Sequence, residues 1–252
     1  MRRLMWVILL LSLSAPAYAE PAFESKDEVT RWMTNYYRQP DPDRVADAIA
    51  YMDESGVLDE TTISAPLGGF LSGVFHVNPD RVPAWLDEIG ALEEQRISGV
   101  VIGLWFADVP GSRTRAQVLL RRYPNLRDHA AIELDSLGAA RIEQVPLEQG
   151  PAVLDALWGK FMATGDRAPV ERIIEALSLL DATGDEERLI IGEAARWSLT
   201  SNAVQHPRVL AICVAVVREQ KPGASTHLPD IIAAARERLA GRHKQGARAV
   251  KR

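Results

Sequence analysis

The sequence predicts an all-α fold of stacked antiparallel helix pairs, α-solenoid-like, with the character of a right-handed α-α superhelix. Three observations predict it. Apolar residues recur at three- and four-residue steps along most of the chain, the period of a helix that buries one face. The tetrapeptide Ala-Thr-Gly-Asp occurs twice, at Ala163–Asp166 and Ala182–Asp185, each time between two such stripes. Pro42-Asp43-Arg44-Val45 returns as Pro79-Asp80-Arg81-Val82, a shift of 37 residues, which is the size of a two-helix repeat. No segment reads as a strand. Ile142–Val145 comes nearest, and it is too short and isolated to make a sheet.

The elements follow in order. Arg2, Arg3, the apolar run Leu4–Leu13 and Ala17-Tyr18-Ala19 read as a secretion signal over residues 1–19, cleaved after Ala19, with an uncleaved membrane anchor as the alternative. One all-α domain is then expected over 20–240. Ser25 can cap a helix with the stripe Val29, Trp32, Met33, Tyr36, Tyr37. Asp41-Pro42 starts a second, with Val45, Ala48, Ile49 and Met52, and Gly56 stops it. Ser64 starts a third, with Leu67, Phe70, Leu71, Val74 and Phe75. Asn78-Pro79 turns into a fourth, with Val82, Trp85, Leu86 and Ile89, ended by Gly90. Ile97, Val100, Val101, Leu104 and Trp105 make a fifth, and residues 112–123 a basic sixth. After Pro124-Asn125 a weaker helix is expected to about Leu137. Residues 138–151 carry Gly and Pro without a period and read either as a sub-domain boundary, for which they are the best place, or as a long loop within one domain.

The double Ala-Thr-Gly-Asp region comes next. Leu154, Leu157, Trp158, Phe161 and Met162 share a helix face before the first copy. Val170, Ile173, Ile174, Leu177 and Leu180 lie between the copies, and Ile190, Ala194 and Trp197 follow the second. Gly accepts the left-handed conformation that ends a helix, and the next Asp can cap the following one. Asp166 and Asp185 are therefore expected to be caps rather than catalysts. Val209–Val217 is apolar on nearly every side and is expected to be buried all round. A last helix carries Leu228, Ile231, Ile232, Ala235 and Leu239, and 241–252 has no apolar stripe, which predicts a disordered basic tail.

Charge is uneven. The formal net charge is −5, yet residues 236–252 hold seven Lys or Arg against one Glu, so the body is acidic. That balance argues against a basic nucleic-acid groove, and no nucleic-acid partner is expected. The single cysteine, Cys213, lies in an apolar segment and reads as a small buried hydrophobe. Gly-x-Ser-x-Gly, Ser-x-x-Lys, phosphate-loop and dinucleotide motifs are all missing. None of His76, His129, His206, His227 and His243 has a His or Cys at metal-ligand spacing. No catalytic residue, cofactor or metal is expected. Glu54-Ser55 is only faintly like the acid-Ser pair of cell-wall-cutting enzymes. The acid pairs Asp53-Glu54, Glu93-Glu94 and Asp185-Glu186-Glu187 sit near helix starts or turns, where acids favour the helix dipole.

Two groups stand out as candidates. Trp197, Ser198, Asn202 and His206 form a polar corner at a helix junction. It reads either as a small pocket with His206 as a titrating group or as a hydrogen-bonded corner that satisfies loose backbone groups. Arg242, Lys244, Arg248, Lys251 and Arg252 of the tail could contact an anionic surface.

The chain resembles a group of uncharacterised exported bacterial proteins. The resemblance is carried by Tyr36-Tyr37-x-x-Pro40-x-Pro42-Asp43, by Val153-Leu154-Asp155-x-Leu157-Trp158-Gly159-x-Phe161-x-Ala163-Thr164-Gly165, and by Ala195-x-Trp197-Ser198-Leu199-x-x-Asn202-Ala203-x-x-His206-Pro207. It implies one compact helical unit and no activity. The two-helix layout also looks like the tetratricopeptide class, although that signature is absent and 37 residues departs from its 34. The expected function is a non-catalytic macromolecule-binding or scaffold module of the periplasm, its partner another protein or envelope component. The alternatives are a periplasmic cell-wall-acting enzyme and an envelope-associated structural protein using its basic tail.

Overall fold

The computed structural model describes residues 23–89, 92–94, 96–127, 131–134, 138–220 and 226–249, with side chains as far as Arg242. The expected signal segment 1–19 lies outside the described residues. Every regular element among them is helical.

Ser25 caps α1 (Lys26–Asn35), its side chain accepting the Glu28 N–H. Trp32 on α1, Tyr36 just after it and Phe70 on α3 (Ser64–Val77) meet edge to face, with centroids 5.2–5.6 Å apart. The two Pro-Asp-Arg-Val copies fold alike. In each a 3₁₀ turn, Pro42–Arg44 or Pro79–Arg81, leads into a helix, α2 (Val45–Glu54) or α4 (Val82–Ile89). A more apolar helix follows each, α3 or α5 (Ser98–Phe106). α2 packs on α4 and α3 on α5, and Arg81 of the second copy pairs with Asp43 of the first. α6 (Ser112–Arg122) packs against α5.

The centre is a three-helix layer, α5–α3–α7, with α7 spanning Pro151–Thr164. Glycines let these helices approach to backbone contact. A Cβ on Gly69 of α3 would lie 1.8 Å from the Ala156 carbonyl oxygen, and one on Gly159 of α7 would lie 2.0 Å from that of Pro66. On the other side a Cβ on Gly68 would lie 2.4 Å from Ile102 of α5. Glycine here supplies closeness rather than flexibility. Around these contacts Leu67, Phe70, Leu71, Val74 and Phe75 of α3 and Leu157 and Phe161 of α7 are each at most 1% exposed.

Past α7 the two Ala-Thr-Gly-Asp corners turn the chain. Gly165 and Gly184 are left-handed, with φ of 69° and 81°. Asp185 caps α9 (Glu186–Gln205), accepting the Arg188 N–H. Asp166 stands at the cap position of α8 (Arg167–Glu175) without a side-chain bond, and its own N–H donates to the Thr164 hydroxyl. A 3₁₀ turn, Ala176–Asp181, leads to the second corner. α10 (Pro207–Arg218) and α11 (Leu228–Ala249) complete the fold.

Four expectations change. After Pro124 there is a single 3₁₀ turn, Pro124–Arg127, and the described residues 131–134 are irregular. Ile132 and Leu134 are buried there without a helix around them. Residues 138–151 do not separate two cores. Ile142, Val145 and Leu147 join the common core, and the nearly buried Lys160 of α7 reaches Glu143 at 3.1 Å. α10 is buried along one face only, through Val209, Ile212, Cys213 and Val216, because its partners α8, α9 and α11 leave Ala211 to solvent. The backbone of the expected disordered tail is helical to Ala249, since helix formers such as Ala, Arg, Lys and Gln extend α11 without a stripe.

Cys213 is 0% exposed, and burial pushes its thiol up to about 12. No described helix is long and apolar enough to cross a membrane.

Candidate functional site

α9 carries apolar residues on two sides. Ile191, Gly192, Ala195, Leu199 and Ala203 face the core. Ile190 and Trp197 do share a helix face, but it is the outward one: Ile190 is 53% and Trp197 74% exposed. They stand seven residues apart, so they form a ridge of two turns, ~10 Å long. Leu189, 41% exposed, flanks it.

α11 packs beside this ridge through Leu228, Ile231, Ile232 and Ala235, all buried. Its start is held by His227, whose Nε2 lies 3.0 Å from Asp181 in the turn before α9. Between the two helices lies an open cleft of about 380 Å³. Glu193, Arg196, Trp197 and Thr200 line it from α9, at helical steps of three, one and three. Asp230, Ala234 and Arg238 line it from α11 at steps of four, with Ile231 beneath. Arg196 pairs with Glu193 of its own helix through two nitrogens. Asp230 and Arg238 have no hydrogen-bond or ion-pair partner among the described residues.

The four residues of the polar corner do not converge. Trp197 points into the cleft. The Ser198 hydroxyl donates to Ala195 O and the Asn202 amide to Ser198 O, so both bond their own helix. Asn202 O accepts the His206 N–H at 2.8 Å and closes the α9–α10 elbow. The His206 side chain turns inward, 4% exposed, between the rings of Tyr37 and Phe161. Its Nδ1 lies 3.4 Å from the Arg38 guanidinium and 3.3 Å from the Tyr37 hydroxyl. Arg38 can only donate, which makes Nδ1 the acceptor of a neutral ring. Burial first, then the Arg38 charge, lowers the His206 pKa to about 4. This is a corner that ties the elbow to the segment after α1, and Arg38 also donates to Gln205 O.

The chain matches no known protein family, curated protein or solved structure. The chemistry of the site therefore rests on its own residues.

Of the tail candidates, Arg242 is exposed near the end of α11. Lys244 and Arg248 continue that helix, with side chains outside the described residues, and Lys251 and Arg252 lie outside them altogether. A second cleft, of about 530 Å³, is lined by Asp59, Glu60, Thr61, Ser64, Glu94, Ser98 and Asn125 among others. Arg96 binds both Asp59 oxygens and also Asp53, and Lys26 pairs with Glu60. Only Glu94 keeps a buried oxygen without a hydrogen bond there. No group of three potential metal ligands occurs among the described residues.

Of the α11 half of the Trp197 cleft the sequence pointed only to Arg238, and to that only as part of the basic tail. Asp230, Ala234 and Arg238 lie more than thirty residues beyond Trp197, so only the packing of α11 on α9 brings them together. One signal was present: α9 has more apolar positions than a single stripe uses, because Ile190 and Ile191 cannot face the same way.

Proposed function

We propose that the protein is a non-catalytic binding module of the bacterial periplasm that engages another macromolecule through the outer face of α9 and its cleft with α11. The single observation that carries this reading is Trp197, 74% exposed beside a cleft in an otherwise well-buried helical molecule. Leaving an indole in water forgoes about 2 kcal/mol or more of burial free energy. Tryptophan and arginine are the residues that most often anchor an interface, and both line this cleft. A rigid helical scaffold holds them in place before a partner arrives, which lowers the entropy cost of binding. The repeat supports a solenoid-like scaffold: the two Pro-Asp-Arg-Val units stack helix on helix and are joined by the Arg81–Asp43 pair. Two of the three carboxylates of the larger cleft, Asp59 and Glu60, are paired with Arg96 and Lys26, which fits a structural role for them. The exported-protein resemblance supports the compartment.

Photocrosslinking in cells tests the reading. A photoreactive residue in place of Ile190 or Trp197 should give adducts that the same residue at exposed Asp47 does not give. Equal yields at all three sites, or none at any, would overturn it.

A further inference from the structure

The α9–α11 cleft combines one flat apolar surface with a polar rim of balanced charge. The indole of Trp197 supplies the surface. Glu193 and Asp230 accept hydrogen bonds, Arg196 and Arg238 donate them, and the Thr200 hydroxyl does either. Two carboxylates face two guanidiniums, so these four side chains sum to no net formal charge; His227, also in the lining, is bonded to Asp181. We propose that this cleft is a saccharide subsite, in which a neutral pyranose ring stacks on Trp197 and these five side chains hold its hydroxyls. The inference rests on the binding role proposed above and names its ligand class.

The chemistry selects among ligands. A pyranose has a face of C–H bonds, slightly positive, that sits well on the electron-rich face of an aromatic ring. Its hydroxyls radiate from the ring edge and each can donate and accept, which a rim of both polarities satisfies. A polyanion would meet Glu193 and Asp230. An amphipathic helix needs an apolar trough, yet Ile231 and Ala234 are the only aliphatic side chains in this lining. At about 380 Å³ the cleft falls in the usual range for small-ligand sites.

The rim is also prepared for a ligand. Glu193 fixes Arg196 with two hydrogen bonds, and the i, i+4, i+8 spacing of Asp230, Ala234 and Arg238 keeps them on one face of α11. Asp230 and Arg238 have no competing partner among the described residues. Ile190 continues the ridge beyond Trp197, so a chain of several sugar units would keep apolar contact outside the cleft.

Trp197 is also a reporter. In the protein without residues 1–19, which carry Trp6, Trp85, Trp105 and Trp158 are at most 8% exposed and Trp32 is packed against the core, so collisional quenching by acrylamide reads chiefly Trp197. Cellotetraose, maltotetraose and tetra-N-acetylchitotetraose, up to ~10 mM, are added to that mature protein. At least one should shield Trp197 from the quencher. By calorimetry Trp197→Ala should weaken that saccharide at least about tenfold. Trp197→Phe, which keeps a flat face, should bind better than Trp197→Ala. Asp230→Asn with Arg238→Gln should weaken binding while circular dichroism stays unchanged. If no saccharide shields Trp197, or Trp197→Ala binds as the parent does, the inference fails. Crosslinks at position 197 that persist in cells would then leave the binding role standing; their absence as well would remove both.

Discussion

His206 is neutral in the folded protein, and its environment makes a definite prediction. The ring has an ordinary pKa of 6.5 and a folded value of about 4, lowered by burial and by Arg38. The unfolded chain therefore binds this proton at a higher pH than the folded one. Stability from the neutral ring is complete above about pH 6.5 and is lost as pH falls toward 4. The loss over that window is on the order of 2 kcal/mol. Acid also protonates carboxylates, so the raw pH dependence is not that of His206 alone. The measurement is thus the difference between the parent and His206→Gln in urea unfolding at pH 7 and pH 4.5. The variant should lose clearly less stability between the two; equal losses would show that His206 is not the group responsible. The residue types of this corner were legible, since a His-Pro step after Asn reads as a helix junction. Its partners were not, because Tyr37 and Arg38 lie some 170 residues earlier in the chain.

Among the elements, α3 is the one whose glycines decide the packing. Gly69→Ala places a methyl group against the backbone of α7, where no side chain can move aside. It should cost about 3 kcal/mol or more. Gly241 lies on α11 with nothing within 4 Å of a would-be Cβ. Gly241→Ala should therefore stabilise α11 by about 0.5–1 kcal/mol, since only helix propensity changes. Thermal unfolding and helical ellipticity of the two variants check both signs. A gain from Gly69→Ala, or no change in ellipticity from Gly241→Ala, would contradict this packing. Periodicity located ten of the eleven described helices well, because cap residues and apolar stripes are local signals. It placed a weak helix after Pro124 that is irregular wherever it is described, and it ended α11 too early. It was silent on the glycine contacts, since a glycine in a helix looks the same in sequence whether it faces solvent or another backbone.

At the scale of the whole molecule, α7 joins the two halves of the chain. Its face is buried against α3, about ninety residues earlier, and the 138–149 stretch is sewn to it through Lys160 and Glu143. A fragment of residues 138–252 would expose that face. It should aggregate or unfold without a sharp transition, while the intact chain unfolds in one step followed by urea and circular dichroism. Two separate transitions in the intact chain would show that the halves are independent. A repeat-based reading of the sequence favours contacts between neighbours; a contact as distant as α3 with α7 leaves no trace in local pattern. The same enclosure determines the fate of Cys213. With its one thiol sealed in the core and held protonated, the chain has no internal disulfide to make and no reactive thiol to protect. Its folding yield should not depend on the redox poise of the compartment in which it folds, and a cysteine introduced on the α9 ridge would be its single chemical handle.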